Sequence, residues 1–171
     1  MHLPKVVAIY GPSRVCKTRL ATELGRRVDL SVRHCGEEVR ARAAKLGLGP
    51  GVLPLAEHRA IDAETRRFAL EQGGIIEGRY LDLALFGIDG VVFVRLRSTE
   101  AARVVRSESG LSEDERITRL HTADEHDEDL RRELYKGVIA AVGDLTVDTT
   151  DQGPEELAAR ILDELGRRAS D

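Results

Sequence analysis

Lys17 and Thr18 stand at the head of a helical pattern, at the end of the run Gly11-Pro12-Ser13-Arg14-Val15-Cys16-Lys17-Thr18. Residues of these types in this order can hold a polyphosphate. Successive backbone N–H groups wrap the phosphate oxygens, the Lys17 ammonium reaches the outer phosphates, and the Thr18 hydroxyl binds Mg²⁺. One letter departs from the pattern: Cys16 stands where a second glycine is expected. Glycine lets the backbone approach phosphate without a Cβ and accepts a positive φ, which costs an ordinary L-residue about 1–2 kcal/mol. Cysteine is small, so the expectation is a tighter loop. The bland alternative is a strand-turn-helix in which Lys17 and Thr18 are incidental. Context opposes it, because the β-branched strand Lys5-Val6-Val7-Ala8-Ile9-Tyr10 enters the loop and an amphipathic helix leaves it.

The elements around this loop follow from periodicity. Leu20, Ala21, Leu24 and Val28 make one apolar helical face, with Arg26 and Arg27 in the last turn, where they suit the helix dipole. Leu30 to His34 alternates like a short strand. A second helix begins at Gly36 and stops at Gly47, before a loop at Leu48-Gly49-Pro50-Gly51. From Leu55 to Gln72, Ile61, Thr65, Phe68 and Ala69 recur at helical spacing until Gly73. Gly74 to Gly78 and Gly90 to Leu96 are compact apolar runs flanked by glycine, the pattern of strands buried on both faces of a parallel sheet. Ser98 is positioned to cap the next helix, and Ser112 with Glu115 matches a capping box that opens a charged helical region running toward Ala141. A last strand, Leu145 to Asp148, precedes a helix begun by Pro154 with Leu157, Ile161, Leu162 and Leu165 on its apolar side.

Five buried strands alternating with helices predict an α/β three-layer sandwich around a five-stranded parallel sheet, in one domain spanning residues 1–171. Ligands of such folds bind outside the carboxyl ends of the strands. Four segments therefore meet at one crevice: the loop after Tyr10, the turn at His34-Cys35-Gly36, the turn Glu77-Gly78-Arg79, and the turn after Asp148. With 171 residues, 42% hydrophobic and 33% charged, the chain can bury a core of ordinary size. The net charge of −4 offers no global field for nucleic acid, so bound phosphate depends on local Arg, Lys and N–H groups. No apolar run is long enough to span a bilayer, and no signal-peptide zones are present, which predicts a cytoplasmic protein with a small-molecule partner and neither a nucleic-acid nor a membrane partner. Two cysteines, Cys16 and Cys35, are too few for a disulfide framework or a zinc site and read as free thiols.

Taken together these residues resemble the nucleoside monophosphate kinases of the P-loop type, most of all the short cytidylate-kinase-like members. Beyond the loop, the resemblance rests on His34-Cys35-Gly36-Glu37-Glu38-Val39-Arg40, on Ile76-Glu77-Gly78-Arg79, and on Asp148-Thr149-Thr150 before the Pro-Glu-Glu helix. It implies ATP with Mg²⁺ as donor and a pyrimidine nucleoside monophosphate such as CMP or dCMP as acceptor. It also implies acceptor-binding helices at about 36–72 and a lid-like helical region at about 103–135. On that reading residues Gly11 to Thr18 cradle the donor phosphates, Lys17 stabilises the moving group, and Thr18 carries the metal. Arg40 and Arg79 grip the acceptor phosphate, for which the guanidinium fork is well shaped. Gly36 and Asp62 flank the acceptor. Glu77 orients a metal-bound water or binds the acceptor, against the alternative that it merely pairs with Arg79. Asp62 and Arg66, at i and i+4, are explained equally well as a surface ion pair.

The lid region carries Arg103, Arg106, Arg116, Arg119, Arg131 and Arg132, yet its segment His121 to Asp127 is acidic where the family's lid is basic. His121 and His126 do not share a helix face, so an exposed charged helix is expected there in place of a metal site. The acidic lid also admits a different small hydroxyl compound as acceptor. A nucleotide-binding regulatory protein without turnover is the reading from another class, suggested by Cys16 and opposed by intact Lys17, Thr18 and Arg79.

Overall fold

The computed structural model describes residues 4–107 and 110–168. Its elements run β1 (Val6–Tyr10), α1 (Lys17–Val28), β2 (Val32–His34), α2 (Cys35–Lys45), α3 (Leu55–Glu71), β3 (Gly74–Gly78), α4 (Leu81–Ala84), β4 (Val91–Arg97), α5 (Glu100–Val105), α6 (Glu113–Leu134), β5 (Leu145–Asp148) and α7 (Pro154–Arg168). All pairings are parallel, in the order β2-β3-β1-β4-β5. The central place of β1, between β3 and β4, explains its composition: every residue from Val6 to Tyr10 is buried, so the strand reads as a continuous apolar run. β3 is buried throughout as well.

Helices cover both faces. On one, Leu20, Ala21 and Leu24 of α1 and Leu157, Ala158, Ile161 and Leu165 of α7 pack on Val7, Ile9, Ile75, Val94 and Leu96. On the other, Ala69 of α3 with Leu81 and Leu85 packs on Val6, Ala8, Ile76 and Phe93. The alternation of side chains along each strand sends its odd and even residues to these two cores.

Three expectations need correction. β2 is an edge strand whose residues are only half-buried, and β5 buries Val147 alone among its four, so the sheet has a fully buried centre and wetter margins. Thr99, not Ser98, caps α5: its hydroxyl accepts from the Ala102 N–H, while Ser98 Oγ lies against Thr150 and Arg106. The helix opened by Ser112 ends at Leu134, well short of Ala141. Its capping box forms as expected, Ser112 Oγ accepting from Glu115 N and Glu115 Oε2 accepting from Ser112 N at 2.8 Å. The short helix α4 had no clear periodic signal, being a single turn, and Pro50–Val52 forms a 3₁₀ turn inside the expected loop.

Candidate active site

The loop after β1 opens directly on the N-terminus of α1, where Cys16 is the N-cap with φ 63° and ψ 23°. The left-handed conformation predicted for a glycine is thus present, and cysteine occupies it. Arg14 is a second non-glycine residue in this region, at φ 66°. Gly11, at φ 144°, is required twice over, because a Cβ there would meet Leu96 O at 2.4 Å. Val15 is fully buried and anchors the loop to the core beside α7. Lys17 Nζ donates to Pro12 O at 2.6 Å, folding across the loop. Burial pushes the Lys17 ammonium down to about 8, with Glu77 drawing it partly back.

Glu77, at the carboxyl end of β3, is only 3% exposed. Its Oε1 accepts from Thr18 Oγ1 at 3.3 Å and lies 3.3 Å from His34 Nδ1. It does not pair with Arg79, which corrects that alternative. Arg79 instead binds the Asp127 carboxylate on α6, and Tyr80 Oη donates to Asp127 O at 3.0 Å. The parallel register places these groups together, since Tyr10 lies opposite Gly78 and His34 opposite Glu77.

Lys17, Thr18 and Glu77 line a cavity of about 760 Å³ that extends between α2, α3 and α6. The sequence-predicted Ser13, Arg14, Gly36, Arg40, Asp62 and Arg79 line it too. Gly11, Pro12, Val15 and Cys16 shape the loop without lining that cavity. Arg40 is exposed at the rim and has no carboxylate partner among the described residues. Asp62 does not pair with Arg66. Its Oδ2 accepts from Tyr135 Oη and burial raises its pKa, while Arg66 donates to Ala84 O and Phe86 O. The turn after Asp148 stays outside the cavity: Thr149 and Thr150 offer their carbonyls to Arg106, whose own carbonyl accepts from Arg14.

The lid arginines divide. Arg103, buried on α5, donates to Ser13 O at 2.8 Å and makes a two-pronged pair with Asp124 of α6 at 2.6 and 2.9 Å. Arg131 pairs with the buried Asp82, and Arg132 with Asp129 at the surface. Arg116 and Arg119 line a smaller cavity of about 160 Å³ beside Ser13, Arg14 and Arg79. Residues 108 and 109 of this span lie outside the described residues. His121 bonds Glu100 on the surface and His126 lines the large cavity; among the described residues no cluster of three or more His, Cys, Asp or Glu side chains is arranged for a metal.

Several wall residues were not foreseen: His58, Tyr80 and Tyr135, and the inner face of α6 made by Thr118, Thr122, His126, Leu130 and Leu134. Spacing of four could have revealed that face, had the many charges between not hidden it. Burial lowers the His58 pKa, and it pushes the Cys35 thiol up to about 12, so both are neutral near pH 7. Cys16 and Cys35 are both free, as expected.

No family model matches the chain, and no curated protein matches it. Solved structures do. An uncharacterized protein from Eubacterium ventriosum is similar at a TM-score of 0.72 and 11% identity, covering 94% of this chain and 98% of that one. A gluconokinase from Sinorhizobium meliloti is similar at 0.67 and 18%, covering 99% and 96%. Shikimate kinase from Aquifex aeolicus is similar at 0.63 and 17%, covering 95% and 97%. At such identities the likeness establishes the architecture: a five-stranded parallel sheet with helices on both faces, in the P-loop kinase fold.

Proposed function

We propose that this chain transfers a phosphoryl group from ATP to a small-molecule acceptor. The observation that carries the reading is that Lys17, Thr18 and the buried Glu77 open on the same cavity as a walled compartment between α2, α3 and α6. Phosphoryl transfer needs positioning and charge stabilisation more than covalent help, and such a shared cavity supplies the first. The donor set fits ATP with Mg²⁺: a loop at a helix N-terminus, a lysine, and the Thr18 hydroxyl. Residues Gly11 to Thr18 would hold the donor phosphates and Thr18 the metal, whose charge offsets that of the phosphate oxygens. Lys17 stabilises charge on the moving group, Arg79 stands beside it, and Glu77 accepts a proton or orders water at the strand end. Gluconokinase and shikimate kinase, similar in fold, are both kinases of small molecules, which supports the reading.

A second acceptor reading, a nucleoside monophosphate such as CMP or dCMP, is favoured by Arg40, a rim cation without a carboxylate partner among the described residues. Under it, Arg40→Ala raises the acceptor KM tenfold or more and leaves ATP affinity alone. Under transfer to an uncharged hydroxyl the same substitution changes KM less than threefold. ADP release by purified protein tests the function, with MgATP and a panel of sugars, hydroxy acids, alcohols and monophosphates beside a control lacking acceptor. Acceptor-dependent ADP is expected. Protein that neither binds MgATP nor releases ADP with any acceptor would overturn the reading.

A further inference from the structure

Four histidines lie among the described residues, and two of them have carboxylate partners: His34 lies against Glu77 and His121 against Glu100. The other two, His58 and His126, line the large cavity, and neither makes a hydrogen bond or an ion pair among the described residues. We infer that His58 of α3 and His126 of α6, with Arg40 and Arg79 beside them, hold an anionic group of the acceptor, an inference that rests on the phosphotransferase reading above.

The cavity is layered. At one end stand Lys17 and Thr18 of the loop, with Glu77 accepting from Thr18. At the other, Tyr135 Oη donates to Asp62 Oδ2 beside an apolar floor that includes Ile61, Leu130 and Leu134. α6 runs from Ala123, which shares the smaller cavity with Ser13 and Arg14 of the loop, to Leu134 at the floor, and His126 lies between them. His58 precedes Asp62 by one turn on α3. Both imidazoles therefore stand between the floor and the loop. Arg79 joins the same layer, since its partner Asp127 adjoins His126, and Arg40 lines it from α2.

Positive charge predominates around the two rings. Arg40 faces them from α2, Arg79 from the turn after β3, Arg119 from α6, and Arg14 and Lys17 from the loop, against Asp62 of α3 and Glu77 of β3. A carboxylate or phosphate set among these groups regains, from guanidinium forks and imidazole N–H donors, the hydrogen bonds it gives up in leaving water. Burial, with His126 and Arg79 as further causes, lowers the His58 pKa, so without an anion this ring is neutral near pH 7. An anion beside it favours the charged form, and binding takes up a proton. Affinity for an anion of fixed charge therefore rises as pH falls. Burial keeps Cys35, Tyr80 and Tyr135 protonated, so they add no charge. Asp62, whose pKa burial raises, is the other group that changes charge as acid is added, and histidine variants separate the two.

The test titrates two probes of one shape into the full chain by calorimetry, with a non-hydrolysable ATP analogue and Mg²⁺ present: naphthalenesulfonate, an anion at every pH used, and the neutral naphthalenesulfonamide. The pH runs from 7.5 down to 5.5, below the region near 8 where Lys17 changes charge. Across that range the sulfonate is expected to gain at least tenfold in affinity and the sulfonamide to change less than twofold. In the double variant His58→Gln with His126→Gln, the sulfonate should bind at least tenfold more weakly at pH 5.5 and gain threefold or less across the range, while a melting curve shows the fold retained. His126→Gln alone, at an exposed position, is the second variant if the pair does not fold, with a loss of at least threefold expected. A gain undiminished in the variants belongs to Asp62 and would overturn the proposal, as would equal affinities for the two probes or no binding of the sulfonate. Titration of the analogue alone separates the two levels. No analogue binding refutes the phosphotransferase reading itself, whereas analogue binding with sulfonate affinity indifferent to pH and to both histidines refutes only the assignment of this layer.

Discussion

Cys16 sits at φ 63° at the head of α1, in a backbone conformation that favours glycine. The strain of about 1–2 kcal/mol is offset in part by the roughly 0.5–1 kcal/mol that glycine would lose through its freer unfolded chain. Cys16→Gly is therefore expected to raise stability by about 0.5 kcal/mol and to leave MgATP affinity equal or improved. Calorimetry that finds the affinity destroyed would mean the thiol itself makes the site. Lys17 tests the loop from the other side. Its pKa is lowered from 10.5 to about 8 by burial, so the folded state releases this proton more readily than the unfolded chain does. Below about pH 8 both states hold the proton and the folded one bears the desolvation cost; between about 8 and 10.5 only the unfolded chain keeps it, so stability rises with pH. Relative to Lys17→Met, the wild-type melting temperature should climb across that window, while the wild-type kcat/KM for ATP falls as pH passes about 8. A flat difference between the two proteins from pH 7 to 10 would contradict the buried ammonium.

At the scale of elements, α6 joins the two halves of the site. Asp124 straps it to Arg103 and through it to Ser13 O of the loop, and Asp127 straps it to Arg79. Asp124→Asn should loosen this link, costing about 1–2 kcal/mol of stability and raising the KM for both substrates about tenfold. Ser112→Ala serves as the contrast. It removes the cap of the same helix far from the cavity, so about 1 kcal/mol should be lost in denaturant unfolding with KM unchanged. The acidic segment His121 to Asp127, unexpected for a lid, is explained in part by these straps: Asp124 and Asp127 face arginines of α5 and the β3 turn, while Glu125 is exposed. Such pairing joins residues distant in sequence, and nothing in the local pattern announces it. The central strands and α1, α3 and α7 were legible because their apolar spacing is set by the layers they contact. α4 and the end of α6 were not, since a single turn has no period and the charges near Tyr135 continue the pattern past the last helical residue. Of the site, the loop and the Glu77-Gly78-Arg79 turn were readable from sequence order, whereas the partners of Glu77, Asp62 and Arg79 depended on which helices the fold brings across.

For the whole molecule, the carboxyl ends of β1, β2 and β3 bring the loop, His34 and Glu77 to one mouth, while Thr149 and Thr150 brace the loop through Arg106. The net charge of −4 gives no bulk attraction for anions, so affinity for a polyphosphate depends on local groups such as the first turn of α1, its lysine and the arginines that line the cavities beside the loop. No helix among the described residues is long and apolar enough to cross a membrane. The proposed function thus depends on the concavity that Lys17 and Thr18 line. Equilibrium titration of wild type and Lys17→Met with MgATP, side by side, tests that dependence most directly. The account predicts saturable binding at a single site in the wild type and a loss of at least tenfold in the variant, and equal heats from the two proteins, or none from the wild type, would contradict it.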